Sequence, residues 1–157
     1  MAKVLIGTAR FALSAWVGAA ALFVVVGIQE VRSSEFDSLH RDLLVGLRFP
    51  PYYAFGFALM SLAWLALTAS LFVPRQNRRR LLCFSVLVLF VLALMAADYV
   101  WVYSPLVEMI TPPGKSRPAE FVSYHNVSKW LNFASISLTA AIAFALCCLD
   151  LKQPSDE

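Results

Sequence analysis

Charged residues are scarce in this chain. Asp, Glu, Lys and Arg make up 15% of its 157 residues, whereas soluble domains contain about 25%. Hydrophobic residues reach 60% and the mean hydropathy is +0.70. Because a soluble fold of this size could not bury so much apolar surface, this composition predicts a membrane protein. The small net charge of +3 and the scattered arginines argue against nucleic-acid binding.

Residues that carry common chemistry are also few. The sequence has no CxxC pair, no glycine-rich phosphate loop and no Ser-His-Asp pattern. Its cysteines, Cys83 and the adjacent Cys147 and Cys148, lack metal or redox spacing, and we interpret them as apolar side chains at helix ends. The two histidines, His40 and His125, are weak candidates for holding haem or a metal ion. These absences favour a protein that is not an enzyme and has no bound cofactor.

Four long apolar runs dominate the sequence. Each is close to the ~20 residues that cross a bilayer as a helix, and backbone groups in lipid need partners within their own segment. The sequence therefore predicts an all-α integral membrane four-helix bundle, formed by residues 1–157 as one domain. The predicted spans are about 11–28, 53–73, 81–103 and 130–149. The first run has a longer apolar core than a signal peptide and no clear cleavage site, so it is predicted to be retained.

Arginine placement predicts the orientation. The second connection, 74–80, reads PRQNRRR, and tight basic loops stay in the cytoplasm. Both termini then lie in the cytoplasm, in agreement with Lys3, Arg10 and Lys152. We expect a multi-pass protein of the cell (inner) membrane of a bacterial-type cell. Its partners would be the lipid bilayer and, in addition, a second copy or another membrane protein.

The two outer connections contain structural signals. In the first, five apolar residues at helical spacing predict a short amphipathic helix on the outer surface: Phe36, Leu39, Leu43, Leu44 and Leu47. Pro50 and Pro51 are expected to end that helix before the second span, and Tyr52, Tyr53 and Phe55 to lie at the membrane interface. In the second connection, Pro105 is expected to end or kink the third helix.

The fourth helix is expected to begin near Ser116 and Pro118, which have the character of a cap and a first-turn residue. Glycines Gly18, Gly27 and Gly56 are expected to allow close contact between helices.

A file of polar residues runs into the fourth span. His125, Ser128, Asn132, Ser135 and Thr139 fall within an arc of roughly 80° on a helix. This face should point inward, since polar side chains are unfavourable against lipid. The stripe is open to two interpretations, hydrogen bonding between helices or the lining of a pocket. Asn132 favours a pocket because it has more donors and acceptors to satisfy.

Asp98 is the one acidic residue inside a predicted span. Counting residues along the helices places it at the depth of Lys129, near the outer interface. An Asp98–Lys129 ion pair is one interpretation, and a substrate or proton site is the other.

Two segments resemble a known family. They are ADYVWVYSPLVEM, residues 97–109, and AEFVSYHNVSKWLN, residues 119–132. The F-x-x-x-H-x-x-S-x-x-L-N pattern resembles the transmembrane protein 205-like family of small four-helix membrane proteins, a domain of unknown function. The resemblance implies that His125, Ser128 and Asn132 act as a unit together with Asp98, Pro105 and Glu108.

The resemblance implies no established reaction. Copper-resistance D-type proteins and a haem-binding protoporphyrinogen oxidase are more distantly similar, but they use histidines within their helices, and none lies in the core of a span here. The anthrone-oxygenase-like group also resembles the chain, with a poorer fit.

The combined prediction is an outward-facing polar pocket that binds, or helps to move, a small solute or lipid. The pocket candidates are Asp98, Glu108, His125, Ser128, Lys129, Asn132 and Ser135. One alternative is a haem- or metal-binding redox protein that uses His40 and His125. Another is an accessory subunit of a membrane complex, whose polar seam receives a partner helix.

Overall fold

The computed structural model describes residues 1–74 and 77–148, and this part of the chain is helical and contains no strand. Its elements are α1 (Ala2–Arg32), α2 (Ser38–Ser70), α3 (Arg78–Asp98), a π-helical segment (Tyr99–Tyr103), α4 (Ser104–Met109) and α5 (Phe121–Cys147). Four helices, with α3 to α4 taken as one, are long and apolar enough to cross a membrane. The predicted number of spans is therefore confirmed. The predicted end of the fourth span at Leu149, and the basic residues Arg75 and Lys152, lie outside the described residues.

The four long helices form a closed arrangement. α1 packs against α2 and α5, and α3 packs against the same two helices. Arg10 of α1 donates a hydrogen bond from Nε to the carbonyl of Leu146 in α5, at 2.8 Å. The start of α1 and the end of α5 therefore lie at the same end of the bundle. Large apolar side chains such as Leu22, Phe90 and Phe133 stay more than half exposed, as contact with lipid tails requires.

Helix α2 is continuous through the two prolines. It begins after Asp37, whose carboxylate accepts the backbone N–H of His40 at 2.9 Å, and this hydrogen bond lowers the pKa of Asp37. The predicted break at Pro50 and Pro51 is wrong, because both lie inside the helix. Each proline lacks the amide hydrogen that would bond one turn back, and membrane helices tolerate such prolines. The predicted amphipathic segment is the first part of α2, and its location on the outer membrane surface stays a prediction.

Pro105 is accommodated by a change of helix type. The π-helical segment directly precedes α4, and its wider turn lets the amide and the Oγ of Ser104 both donate to the carbonyl of Tyr99. The helix therefore continues to Met109, beyond the predicted end at residue 103. At the next connection, Ser116 and Pro118 precede α5 instead of starting it.

A buried acid fastens the α4–α5 connection to α2. Asp42 is 3% exposed, and its Oδ2 accepts the backbone N–H of Gly114 at 3.0 Å while its Oδ1 accepts from Nη2 of Arg117 at 2.8 Å. Gly114 has φ of 81°, a conformation that glycine adopts without strain. The guanidinium of Arg117 also lies 4.6 Å from the ring centre of Phe121. These contacts fix the chain at the entry to α5.

Candidate functional site

Asp98 is the centre of a buried polar network. It ends α3 and is 2% exposed. Its Oδ2 accepts two hydrogen bonds, from the hydroxyl of Tyr53 at 2.6 Å and from Nδ2 of Asn132 at 2.7 Å. Its other oxygen, Oδ1, is buried and has no hydrogen-bond partner among the described residues. Since a buried polar atom normally has a partner, Oδ1 marks a position where a ligand could supply a donor.

Asn132 extends this network to a second tyrosine. Its Oδ1 accepts from the hydroxyl of Tyr52 at 3.1 Å, and its Nδ2 also donates to the backbone carbonyl of Ser128 at 3.0 Å. These contacts define the orientation of the amide, because Nδ2 faces acceptors and Oδ1 faces a donor. Side chains from α2, α3 and α5 are thereby linked around one carboxylate.

Aromatic rings surround the network. The ring of Tyr53 lies 5.0 Å from that of Tyr99 and 4.9 Å from that of Tyr103, both in the π-helical segment after Asp98. π-Helical segments occur frequently at functional sites. On the other side, the rings of Trp16 and Tyr52 are 4.9 Å apart. The tyrosine that donates to Asp98 is therefore packed among other aromatic rings.

Trp16 is the second buried side chain with an unpaired polar atom in this region. It is 2% exposed and its Nε1 has no hydrogen-bond partner. Its ring lies directly over Gly56, where a Cβ would be 2.6 Å from Cη2 of Trp16 and 2.7 Å from Cε of Met95. The absence of a side chain at Gly56 therefore allows the indole to enter the core one helical turn below Asp98.

A groove between α1 and α2 lies beside the network. Its volume is about 540 Å³, and its lining includes Trp16, Phe23, Arg48, Tyr52 and Phe55. The rings of Trp16 and Tyr52 thus form a wall between the groove and the polar network. The hydroxyl of Tyr52 donates to Asn132 on the network side. The groove is open to the surface of the bundle, and its lining is mostly apolar with Arg48 as the charged residue.

The predicted polar stripe is inward-facing from Asn132 downward. Ser135 is 5% exposed and Thr139 is fully buried, and the Thr139 hydroxyl donates to the carbonyl of Ser135 within the same helix at 2.7 Å. Below them Ile142 and Leu146 are buried. The structure thus joins Asn132 to Asp98, and Ser128 accepts from Asn132. The lower residues of the stripe fill the contact between helices.

Three of the candidate residues lie apart from Asp98. His125 is exposed and stacks on Phe121 with ring centres 6.0 Å apart. Lys129 is exposed. Glu108 lines a separate hollow of about 450 Å³ with Lys115 and Arg117.

The predicted Asp98–Lys129 ion pair is wrong. Among the described residues, Asp98 takes part in no ion pair, and its hydrogen bonds come from Tyr53 and Asn132. Asn132 lies almost one turn deeper than Lys129 and is the α5 residue at the level of the acid. A lysine near the end of a span can extend its amine to water instead.

The two histidines have different surroundings. His40 lies near the start of α2 and its Nδ1 is 2.8 Å from Oδ1 of Asp37, whereas His125 lies on α5. Within the described residues, no group of three or more His, Cys, Asp and Glu side chains could hold a metal ion. The cofactor expectation stays a prediction.

Sequence reasoning missed Tyr52, Tyr53, Trp16 and Gly56 as parts of the site. Tyr52 is 9% and Tyr53 is 2% exposed, so both rings face the interior of the bundle, and their depth at the membrane interface stays a prediction. The sequence did contain a pattern that indicates burial of this face of α2. Residues at spacings of three or four lie on it: Tyr53, Gly56, Met60, Ala63 and Leu67. That spacing is typical of one buried helix face.

The fold and this network describe an all-helical protein with four helices suited to crossing a membrane. No protein-family model, no curated protein and no solved structure matches the chain. The assignment of a function therefore depends on the chemistry of Asp98 and its neighbours.

Proposed function

We propose that this integral membrane protein binds, and helps to move, a small solute that presents a cationic, hydrogen-bond-donating group to Asp98. The observation that carries the proposal is the second carboxylate oxygen, Oδ1, which is buried and unpaired. A charged group in the membrane interior is unfavourable without a partner and is by default a functional candidate. A donor on the solute supplies that partner.

The surroundings of Asp98 favour an amine or ammonium group in particular. The ring of Tyr53, whose hydroxyl donates to Asp98, packs against the rings of Tyr99 and Tyr103, and aromatic faces attract cations through the ring quadrupole. Tyr53 and Asn132 already donate to Oδ2, so they hold the carboxylate in place while Oδ1 receives the ligand. Asp98 is 2% exposed, so the surrounding helices separate when the solute enters. The π-helical segment after Asp98 is the element that we expect to rearrange.

We also propose the finer assignments that the sequence suggests. The site lies in the outer half of the bundle, both termini are cytoplasmic, and the membrane is the cell (inner) membrane. Membership of the transmembrane protein 205-like family rests on the two sequence segments that carry the resemblance, in which Asn132 donates to Asp98 and to the carbonyl of Ser128. The exposed position of His125 weakens its place in that unit.

Ligand binding can be tested by thermal unfolding of the detergent-purified protein. Small primary and quaternary amines should raise the melting temperature of the wild type, because a ligand at 100 times its Kd stabilises the folded state by about 2.7 kcal/mol. Neutral alcohols of the same shape should have little effect. Asp98→Asn keeps an oxygen for Tyr53 and Asn132 but replaces the acceptor at Oδ1 with a donor, and it should abolish the shift.

The matched control is Glu120→Gln, which removes an exposed acid and should leave the amine effect unchanged. Equal stabilisation of the wild type and Asp98→Asn would contradict the proposal. So would a wild type that no amine stabilises.

The proposed orientation can be tested by cysteine labelling. Cys83, Cys147 and Cys148 are all exposed and lie at the end of the bundle that contains the start of α3 and the end of α5. A membrane-impermeant maleimide should label none of them in intact cells and should label them after permeabilisation. In a chain whose native cysteines are changed to serine, Ser116→Cys should react in intact cells. Labelling of the native cysteines in intact cells would contradict the proposal and would mean that both termini lie outside the cell.

A further inference from the structure

An ion pair lies at the margin of the α1–α2 groove. Arg48 of α2 lines the groove, and its Nη1 donates to Oε2 of Glu30 near the end of α1. Its Nη2 donates to the carbonyl of Phe23 at 3.2 Å, and its guanidinium carbon lies 4.7 Å from the ring centre of Phe23. The side chains of Arg48 and Glu30 are 23% and 21% exposed. Two opposite charges are therefore held side by side within reach of a ligand.

The lining of the groove on α1 extends from Trp16 to Phe23, which corresponds to about 10 Å along the helix, and the ion pair lies beyond its Phe23 end. Glu30 follows Trp16 by 14 residues in α1, which corresponds to about 21 Å along the helix. Half of the hydrocarbon core of a bilayer is about 15 Å thick. With the ion pair at the level of the lipid headgroups, Trp16 lies near the middle of the membrane. The lining near Trp16 is apolar and includes Ala19, Phe23 and Phe55, which suits the end of an acyl chain.

We propose that this groove binds one phospholipid with a zwitterionic headgroup. The phosphate contacts Arg48, the ammonium contacts Glu30, and an acyl chain lies along Phe23 and Phe55 toward Trp16. This site is separate from the solute site at Asp98, and either can exist without the other. The two sites meet only at the wall formed by Trp16 and Tyr52.

Charge complementarity selects the headgroup. A guanidinium has five N–H donors, and Arg48 uses Nη1 for Glu30 and Nη2 for Phe23, so further N–H groups remain for a phosphate. A purely anionic headgroup would bring its charge against the carboxylate of Glu30, and a purely cationic one against Arg48. A headgroup that carries both charges pairs with both side chains.

The test is native mass spectrometry of the purified protein with phosphatidylethanolamine and phosphatidylglycerol of identical acyl chains. The wild type should retain the zwitterionic lipid roughly tenfold better, as expected for one charge-assisted contact. Glu30→Gln removes the carboxylate that repels an anionic headgroup, so this preference should disappear. Arg48→Gln should reduce the retention of both lipids.

Two further variants separate the groove from the ion pair. Ala19→Trp fills the groove without changing either charge, and it should reduce the retention of both lipids. Arg79→Gln changes an exposed arginine at the start of α3 and should bind lipids as the wild type does. The proposal is overturned if the wild type retains both lipids equally, if Glu30→Gln keeps the preference, or if Ala19→Trp retains lipid as the wild type does. The amine response of Asp98 is measured on the same Ala19→Trp protein, so the two proposals fail or succeed independently.

Discussion

Replacement of Gly56 by alanine is expected to lower the free energy of unfolding by about 1–3 kcal/mol, the range for overfilled cores. The added Cβ would lie 2.6 Å from Cη2 and 2.9 Å from Cζ2 of Trp16, and 2.7 Å from Cε of Met95. The end of Met95 can move, but the Trp16 ring is rigid and buried between α1 and α2. The strain therefore outweighs the gain in helix propensity that alanine brings. Unfolding by SDS titration, followed by helical circular dichroism, measures the effect.

Gly18→Ala is the matched control. Gly18 also lies inside a helix, but a Cβ there would meet no atom within 4 Å, so the change should be neutral or stabilise the fold by up to about 1 kcal/mol. Trp16→Phe removes the ring atoms that the new methyl group meets, and it should recover part of the loss when combined with Gly56→Ala. Equal effects of the Gly18 and Gly56 changes would contradict the close approach of α1 and α2.

Asn132→Ala is expected to lower the free energy of unfolding by about 2–4 kcal/mol, because it removes a hydrogen bond to a charged group and leaves a second buried group unpaired. Asn132 donates to Oδ2 of Asp98 and accepts from the Tyr52 hydroxyl. The loss would leave the Asp98 carboxylate with Tyr53 as its only described donor. The same SDS titration measures this change.

Asn126→Ala provides the control on the same helix. Asn126 is exposed, so its replacement should change stability by less than about 0.5 kcal/mol. A double-mutant cycle with Asp98→Leu then isolates the contact between the two residues. With the acid absent, Asn132→Ala should be milder by about 1–3 kcal/mol. An unchanged effect in the Asp98→Leu background would mean that Asn132 acts through packing and not through the carboxylate.

Much of the architecture was predictable because the membrane constrains each segment separately. A helix that crosses lipid must satisfy its own backbone and present apolar side chains outward, so four long apolar runs predict four helices without reference to their neighbours. The inward face of α5 was predictable for the same reason, since Ser135 and Thr139 are unfavourable against lipid. These predictions depend only on local composition and helical periodicity.

The partners of Asp98 were not predictable in this way. Lys129 was the expected partner because it has the opposite charge and a similar estimated depth. An error of one helical turn in that depth estimate is enough to make Asn132 the contacting residue instead. Tyr53 resembles an interfacial aromatic residue in the sequence, and only the rotation of α2 turns its hydroxyl toward α3. Contacts between helices depend on rotation, tilt and relative depth, and none of these is encoded within a single segment.

The sequence by itself determined the class of this protein, its four membrane-suited helices and the inward polar face of α5, because each follows from the energetics of one helix in an apolar solvent. Only the tertiary structure decided that α2 continues through Pro50 and Pro51, that Gly56 and not Gly18 lies at a helix contact, and that Asp98 is held by Tyr53 and Asn132 with one oxygen unpaired. Those features arise where separate helices meet, so their physical cause is the packing of one helix against another.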